Sequence, residues 1–277
     1  MIRRIVALGR YLFRSLLFSL AGLLYILLAL AFYVIFFDPR QQTPDLDYFI
    51  LIFGLFGLAL SFIVTLSVAA RANQAVHYPL IAKLPSRIEY LSSVLLASLL
   101  YVLVIQFAVA FLALLAKGPD ITLRQLLEIP ALWIAGDILF IVIALHATDL
   151  VARGWSRVYV FGAIGLLLYL QSGIGLLGDW LFSLFNRIGG ALSESGFDAL
   201  AAIFYDTATW ISSDGSGLFG TVFDIIFWPF SAITDAIIGG QFSLSQALAP
   251  AVLMIYASLF FLLAAELFAH KDLFLSE

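Results

Sequence analysis

The chain has 277 residues, of which 63% are hydrophobic and only 12% are charged. Soluble domains carry about a quarter charged residues, so this composition excludes one water-soluble core and predicts a polytopic membrane protein. The absence of cysteine excludes disulfides and thiolate metal sites. No basic patch interleaved with aromatic residues suggests a nucleic-acid partner.

The N-terminal segment, residues 1–14, is basic and contains no acid. Arg3, Arg10 and Arg14 share one face of a helix, with the apolar residues largely elsewhere. Arginine on one face and apolar side chains on another are typical of a helix that lies in the membrane interface. We therefore predict a short interfacial helix on the cytoplasmic leaflet, in contact with membrane lipid.

Six apolar runs follow, and each is predicted to be a transmembrane helix. They cover residues 12–37, 48–70, 91–116, 130–149, 158–177 and 246–268. A helix needs about 20 residues to cross the hydrocarbon core, and most of these runs reach that length. The runs lack the alternation of barrel strands, so the predicted fold is all-α, with residues 1–277 forming a single transmembrane domain.

The segment 178–245, between the fifth and sixth spans, is too long for a plain connection. Residues 197–211 can form an amphipathic helix, and residues 217–238 are apolar but contain Asp224, Pro229 and Asp235. We predict an external insertion whose helices lie on the outer face or re-enter the membrane. A seventh crossing by residues 217–238 is the alternative, and it would move the C-terminus outside.

Orientation follows from the basic residues, which favour cytoplasmic loops. With both termini in the cytoplasm, ten of the 14 lysines and arginines lie inside and twelve of the 18 acids lie outside. The prediction is therefore a multi-pass protein of the cell (inner) membrane with both termini cytoplasmic.

The cytoplasmic loop 71–90 has the sequence RANQAVHYPLIAKLPSRIEY between two long apolar runs. It is basic, and prolines interrupt it twice. Its apolar residues at helical spacing are Val76, Leu80, Ile81 and Leu84. A short amphipathic helix of this kind can dock a soluble partner. The alternative is an ordinary positive-inside loop that binds nothing.

An apolar run, an arginine, a short helix ending in LPSRIEY and a second apolar run together resemble the ABC-2 type permeases. These are the membrane subunits of type V ABC exporters, and the six-span layout resembles theirs as well. The residues that carry the resemblance are Arg71, Tyr78, Pro79, Leu80, Leu84, Pro85, Ser86, Arg87 and Glu89.

The resemblance implies that the loop 71–90 holds a coupling helix seated in a groove of a separate ATPase subunit. The implied docking residues are Arg71, His77, Tyr78, Leu80, Lys83, Leu84, Pro85 and Arg87. It also implies two ATPase subunits and a second permease subunit, identical or related. The chain has no G-x-x-x-x-G-K-[ST] motif, so ATP and Mg²⁺ are expected in the partner and no cofactor in this chain.

Asp137 is the one acid placed well inside a predicted span. A carboxylate costs roughly 2.5–3.5 kcal/mol there on insertion scales, so it should face a partner or a wet cavity. Asp137, Gln106 and Gln171 are the candidate residues of a substrate path, with a structural role as the alternative. Ser61 and Thr65 are predicted to bond back to their own helix.

The preferred function is the permease subunit of an ATP-driven exporter, with no catalytic residue of its own and an amphipathic or lipidic substrate. One alternative is a secondary transporter or channel that needs no ATPase and uses Asp137 as an ion or proton site. Another is a membrane-embedded enzyme or assembly factor. The three histidines have no metal-ligand spacing, so no metal site is predicted.

Overall fold

The computed structural model describes residues 1–37, 45–152, 154–172, 174–212, 216–239 and 244–270, and the regular structure in these ranges is helical. The α-helices, in chain order, are α1 (Ile2–Leu17), α2 (Leu20–Phe36), α3 (Leu46–Ala72), α4 (Tyr78–Lys83), α5 (Arg87–Lys117), α6 (Leu123–His146), α7 (Trp155–Ser172), α8 (Ile174–Glu194), α9 (Asp198–Trp210), α10 (Ser216–Gly239), α11 (Leu244–Ala247) and α12 (Ala249–Ala269).

Four of these helices are long and apolar enough to cross a membrane, namely α3, α5, α6 and α12. They coincide with the second, third, fourth and sixth predicted spans. The fifth predicted span falls on α7, whose described apolar part, Ser156–Leu166, is shorter. The all-helical fold is therefore confirmed and these long apolar helices indicate a membrane protein, while six crossings remain a prediction.

The first predicted span, residues 12–37, is not one straight helix. Its first residues belong to α1, and α1 and α2 are bent by 71° at a short break. Ser19 occupies the break, where its Oγ donates to Leu16 O at 2.6 Å and accepts from Gly22 N at 3.1 Å. The hydroxyl thus bonds the end of one helix and the start of the next, which stabilises the bend.

Gly22 allows the first turn of α2 to lie against the last turn of α1. A β-carbon on Gly22 would lie 2.2 Å from Leu16 O, closer than any side chain can approach a carbonyl oxygen. The same residue's carbonyl accepts a 2.8 Å hydrogen bond from the Tyr101 hydroxyl on α5. The bend therefore depends on a residue without a side chain.

The helices α2, α3 and α5 alternate in direction. Tyr25, near the start of α2, donates to Ile63 O in the second half of α3, whereas Phe37, just after α2, packs its ring against Phe49 near the start of α3. At one end of the α3–α5 pair Tyr90 donates to Ala72 O at 2.7 Å. These contacts define an antiparallel up-down-up arrangement.

The helices α6 and α12 run parallel to α3. Trp133 donates to Ile50 O, and the next contact along α6 joins Asp137 to Ser61. Farther along α6, the His146 ring meets the Phe260 ring of α12 at 6.1 Å. Earlier in both helices, Leu253 of α12 packs in one cluster with Ala135 and Leu139 of α6. Because α6 and α12 point the same way, the chain between them has to return to the starting end of α12.

The chain forms two compact units, residues 1–157 with 229–277 and residues 158–228. The second unit is built around a hairpin of α8 and α9, with Gly196 in the left-handed conformation (φ +80°) at its turn. The Phe185 and Phe204 rings lie 5.7 Å apart, and Tyr205 packs over Gly189. The predicted amphipathic helix 197–211 corresponds to α9.

Replacing Gly22 with alanine should destabilise the protein by about 1–3 kcal/mol, because the new methyl group meets a backbone oxygen that has no room to move. Thermal unfolding in detergent measures the change. The matched control is Gly162→Ala in α7, where nothing lies within 4 Å of the new atom. That variant should be stabilised by about 0.5–1 kcal/mol, because alanine is the better helix former. Equal behaviour of the two variants would contradict the role of Gly22.

Candidate functional site

The loop 71–90 is mostly helical, and its two ends belong to the neighbouring long helices. Helix α3 ends at Ala72, a 3₁₀ turn covers Ala75–His77, and α4 follows directly. Pro79 is the second residue of α4, where its missing N–H removes no helical hydrogen bond. Ser86 caps α5 by accepting from Ile88 N at 3.2 Å.

The predicted apolar stripe of the loop divides between two faces. Val76 is 74% exposed and Leu80 is 39% exposed, whereas Ile81 is only 2% exposed. Leu84 is half-buried and packs against the core. Two residues therefore hold α4 against the bundle, and two are open to a partner.

The other predicted docking residues near α4 differ in exposure. Lys83 and Pro85 are exposed, whereas His77 and Tyr78 are half-buried. His77 meets the Tyr11 ring of α1 edge-on at 5.9 Å, and burial lowers the pKa of its imidazole. A histidine with a lowered pKa is predominantly neutral at pH 7, so the positive charge of this surface comes from Lys83.

The two arginines of the predicted docking set lie at the ends of the loop and bond within the chain. Arg71 Nη1 donates to Ser15 O of α1 at 3.3 Å. Arg87 Nη1 donates to both Phe268 O and Ala269 O of α12 at 3.1 Å. A cation at the last carbonyls of a helix is favourable because it meets the negative end of the helix dipole. Both arginines thus fix the base of the loop.

Glu89 completes this base, and its partner could not be predicted from the sequence. It is 3% exposed and forms a two-bond ion pair with Arg4 of α1, with N–O distances of 2.8 and 2.9 Å. The sequence shows that an acid lies near the start of α5, but it does not indicate a partner 85 residues away. We call Arg71, Arg87, Glu89 and Tyr90 the loop base. Through it the loop contacts the ends of α1, α3 and α12.

A second polar group lies at the interface of α3, α5 and α6 and contains two of the predicted path residues. Asp137 and Gln106 are both fully buried. Ser61 Oγ donates to Asp137 Oδ1 at 3.1 Å, and Gln106 Nε2 donates to Phe53 O at 3.0 Å. Thr65 does bond back to its own helix, at Ser61 O, but the same prediction for Ser61 was wrong because its hydroxyl reaches across to α6.

Gly57 creates the space for these side chains on α3. A β-carbon there would lie 2.1 Å from Gln106 Nε2 and 2.8 Å from Asp137 Oδ1. The carboxamide of Gln106 and the carboxyl of Asp137 therefore both lie against Gly57. We call Ser61, Gln106 and Asp137 the Asp137 cluster. The third predicted path residue, Gln171, is on α7, and its side chain lies outside the described part of the structure.

The long apolar helices and the buried polar groups between them define the chain as an all-helical protein of a kind typical of membranes. Comparison with known proteins found no matching family model, no matching curated protein and no matching solved structure. The loop 71–90 and the Asp137 cluster are therefore the features of the chain that bear on its function.

Replacing Arg4 with alanine should lower the thermal unfolding temperature, because Glu89 would keep its charge in a buried position without a partner. Arg3 lies next to it on α1 and is exposed, so Arg3→Ala is the matched control. The control should change stability by no more than about 0.5 kcal/mol. An Arg4 variant as stable as the Arg3 variant would show that the ion pair does not hold α1 to α5.

Proposed function

We propose that this chain is the permease subunit of an ATP-driven exporter of the ABC-2 type, and that the loop 71–90 couples it to a separate ATPase. One observation carries the proposal. The loop has an exposed outer surface on α4, while its base is bonded to the ends of several long helices. A loop built in this way can take up force from a partner and pass it to the bundle.

The outer surface offers a small apolar centre with a basic neighbour. Its exposed residues include Val76, Pro79, Leu80, Lys83 and Pro85. An apolar helix face of this size suits a shallow groove on a soluble protein. Lys83 adds charge at the rim, where it affects the rate of association more than the affinity.

Movement of α4 would reach the transmembrane helices by three connections. Arg87 leads to α12, the ion pair of Glu89 leads to α1, and Tyr90 bonds the end of α3. ATP binding would close the two ATPase subunits and displace the loop, and the helices would open an outward path. Such a change requires that the ATPase bind one arrangement of the loop better than the other.

The proposed topology has six crossings with both termini in the cytoplasm. Arg4 and Phe268, near the two ends of the chain, both lie at the loop base. Because α6 and α12 run in parallel, one further crossing in the connecting residues suffices, and we assign it to α7. The remaining helices of that connection, α8 to α10, would then form an external insertion.

The proposed substrate is amphipathic or lipidic. A cavity of about 460 Å³ lies among α3, α5 and α6, and its wall is almost entirely apolar. The residues that line it include Phe49, Phe107, Phe111, Pro130 and Trp133. Such a wall binds hydrocarbon rather than a charged solute. A second permease, identical or related, would complete the transporter, with ATP and Mg²⁺ bound by the ATPase subunits.

Purification from native membranes in mild detergent should recover an ATPase subunit in an amount equal to the permease. Leu80→Asp combined with Val76→Asp should reduce the recovered ATPase about tenfold or more, because a charge would enter the centre of the contact. Mass spectrometry and ATP hydrolysis measure the loss.

The matched control is Leu123→Asp, an exposed leucine at the first turn of α6, at the opposite end of the bundle. It should recover the ATPase in full. A wild-type sample without any ATPase would overturn the proposal and favour a transporter that works alone. Equal losses in both variants would show that the α4 surface is not the docking site.

The absence of natural cysteines permits a direct test of the topology by single-cysteine labelling in intact cells. A membrane-impermeant maleimide added outside cells should label Leu123→Cys but not Val76→Cys. Ser195→Cys, in the turn between α8 and α9, should react like Leu123→Cys if α7 crosses once and the insertion is external. Labelling of the Ser195 and Val76 variants from the same side would contradict this arrangement.

A further inference from the structure

The Asp137 cluster contains two buried oxygen atoms that lack a hydrogen-bond donor. Asp137 Oδ2 and Gln106 Oε1 are both inaccessible to solvent and unpaired. The amide oxygen can only accept a hydrogen bond, and the same holds for the carboxyl oxygen as long as the carboxyl is ionised. A buried acceptor without a donor is costly, and two acceptors together in an apolar interface require a common explanation.

The orientation of the Gln106 amide is fixed by its other contact. Its Nε2 donates to Phe53 O at 3.0 Å. Exchanging the nitrogen and the oxygen would place two acceptors against each other at that distance. Gln106 Oε1 is therefore the free end of the amide, and it remains an acceptor.

The carboxyl and the amide are close neighbours. The β-carbon position of Gly57 lies 2.1 Å from Gln106 Nε2 and 2.8 Å from Asp137 Oδ1, so these two atoms are at most 4.9 Å apart. They belong to α5 and α6 and meet over α3. Asp137 Oδ2 and Gln106 Oε1 are the other polar atoms of the same two side-chain groups.

No positive charge in the described part of the chain accompanies Asp137, whose one partner is Ser61. The ionisable side chains on the packed helices are bonded elsewhere or face away. On α5, Tyr101 donates to Gly22 O and Glu89 pairs with Arg4. On α6, His146 bonds Val142 O.

The remaining ionisable groups lie on other faces or at helix ends. Tyr256 of α12 packs on the opposite face of α6, which carries Ala135 and Leu139. Asp47, Arg71, Glu128 and Glu266 lie near the ends of their helices. An ionised Asp137 would thus have no counter-charge in an apolar interface. A divalent metal ion takes about six oxygen ligands, more than the three side chains of the cluster supply.

We propose that Asp137 and Gln106 form a proton-binding site, in which the neutral carboxyl of Asp137 donates from Oδ2 to Oε1 of Gln106. One proton then provides the donor that both orphan oxygens need. The bond joins α6 to α5, and the Ser61 hydroxyl joins α6 to α3. Loss of the proton would leave a bare charge between three helices and weaken their packing, so the bundle responds to proton binding at this position.

Infrared spectroscopy of the purified protein at pH 7 tests the protonation directly. The wild type should show a carbonyl band of a protonated carboxyl that shifts in D₂O, and Asp137→Asn should lack it. Asp206→Asn, which removes an exposed carboxyl of α9, is the matched control and should retain the band. Gln106→Leu should shift the band, because it removes the acceptor. A wild-type spectrum without such a band would overturn the proposal.

The dependence of stability on pH gives a second and independent readout. The folded wild type holds a proton that the unfolded chain releases above about pH 4, so its unfolding temperature should fall as the pH rises from about 4 until the folded carboxyl also loses its proton. Asp137→Asn carries a permanent amide donor and should lose this dependence. A wild type whose stability relative to Asp137→Asn increases on raising the pH would show that the carboxylate is ionised in the folded state. If Asp137→Asn does not fold, the wild-type and Gln106→Leu spectra still decide the question.

Discussion

A polar group inside an apolar bundle has no water to bond, so the chain itself must supply its partner, and this constraint organises the first unit of the structure. Tyr101 donates to Gly22 O in the first turn of α2, and Trp133 donates to Ile50 O. Tyr90 bonds Ala72 O at the end of α3. Each of these bonds joins two helices. The polar groups therefore determine which helices lie together, and the apolar side chains fill the space between them.

The same constraint gives the loop 71–90 its proposed use. Its arginines would be expensive at the membrane boundary if they were unpaired, and both find carbonyls at helix ends. Arg87 in particular bonds two carbonyls of α12, which is 181 residues away in the chain. A loop that satisfies its charges in this way cannot move independently of the bundle. The exposed side of the loop, with Leu80 on α4 and Val76 just before it, is available to a second protein.

The sequence could predict the features that depend on local pattern. Apolar runs of sufficient length predicted α3, α5, α6 and α12, and the basic loop predicted a short helix at α4. The break at Ser19 had a local signal, a capping serine three residues before Gly22, but a continuous apolar run hid it. Pairings between distant segments had no signal. The partners of Glu89 and Asp137 lie 85 and 76 residues away, and a single sequence does not reveal such contacts.

Two buried acids, Glu89 and Asp137, are stabilised in different ways. The depth at which each carboxyl lies in the bundle explains the difference. Glu89 lies at the end of α5, where Arg4 can pair with it while half of the arginine side chain remains exposed. Water therefore continues to solvate part of that pair, and the charge is kept. Asp137 lies at mid-helix among α3, α5 and α6, and no arginine in the described part of the chain pairs with it. A proton is the smallest positive charge that fits there. The depth of each acid thus favours an ion pair at the loop base and a neutral hydrogen bond in the bundle centre, so only the second should respond to pH as a switch of helix packing.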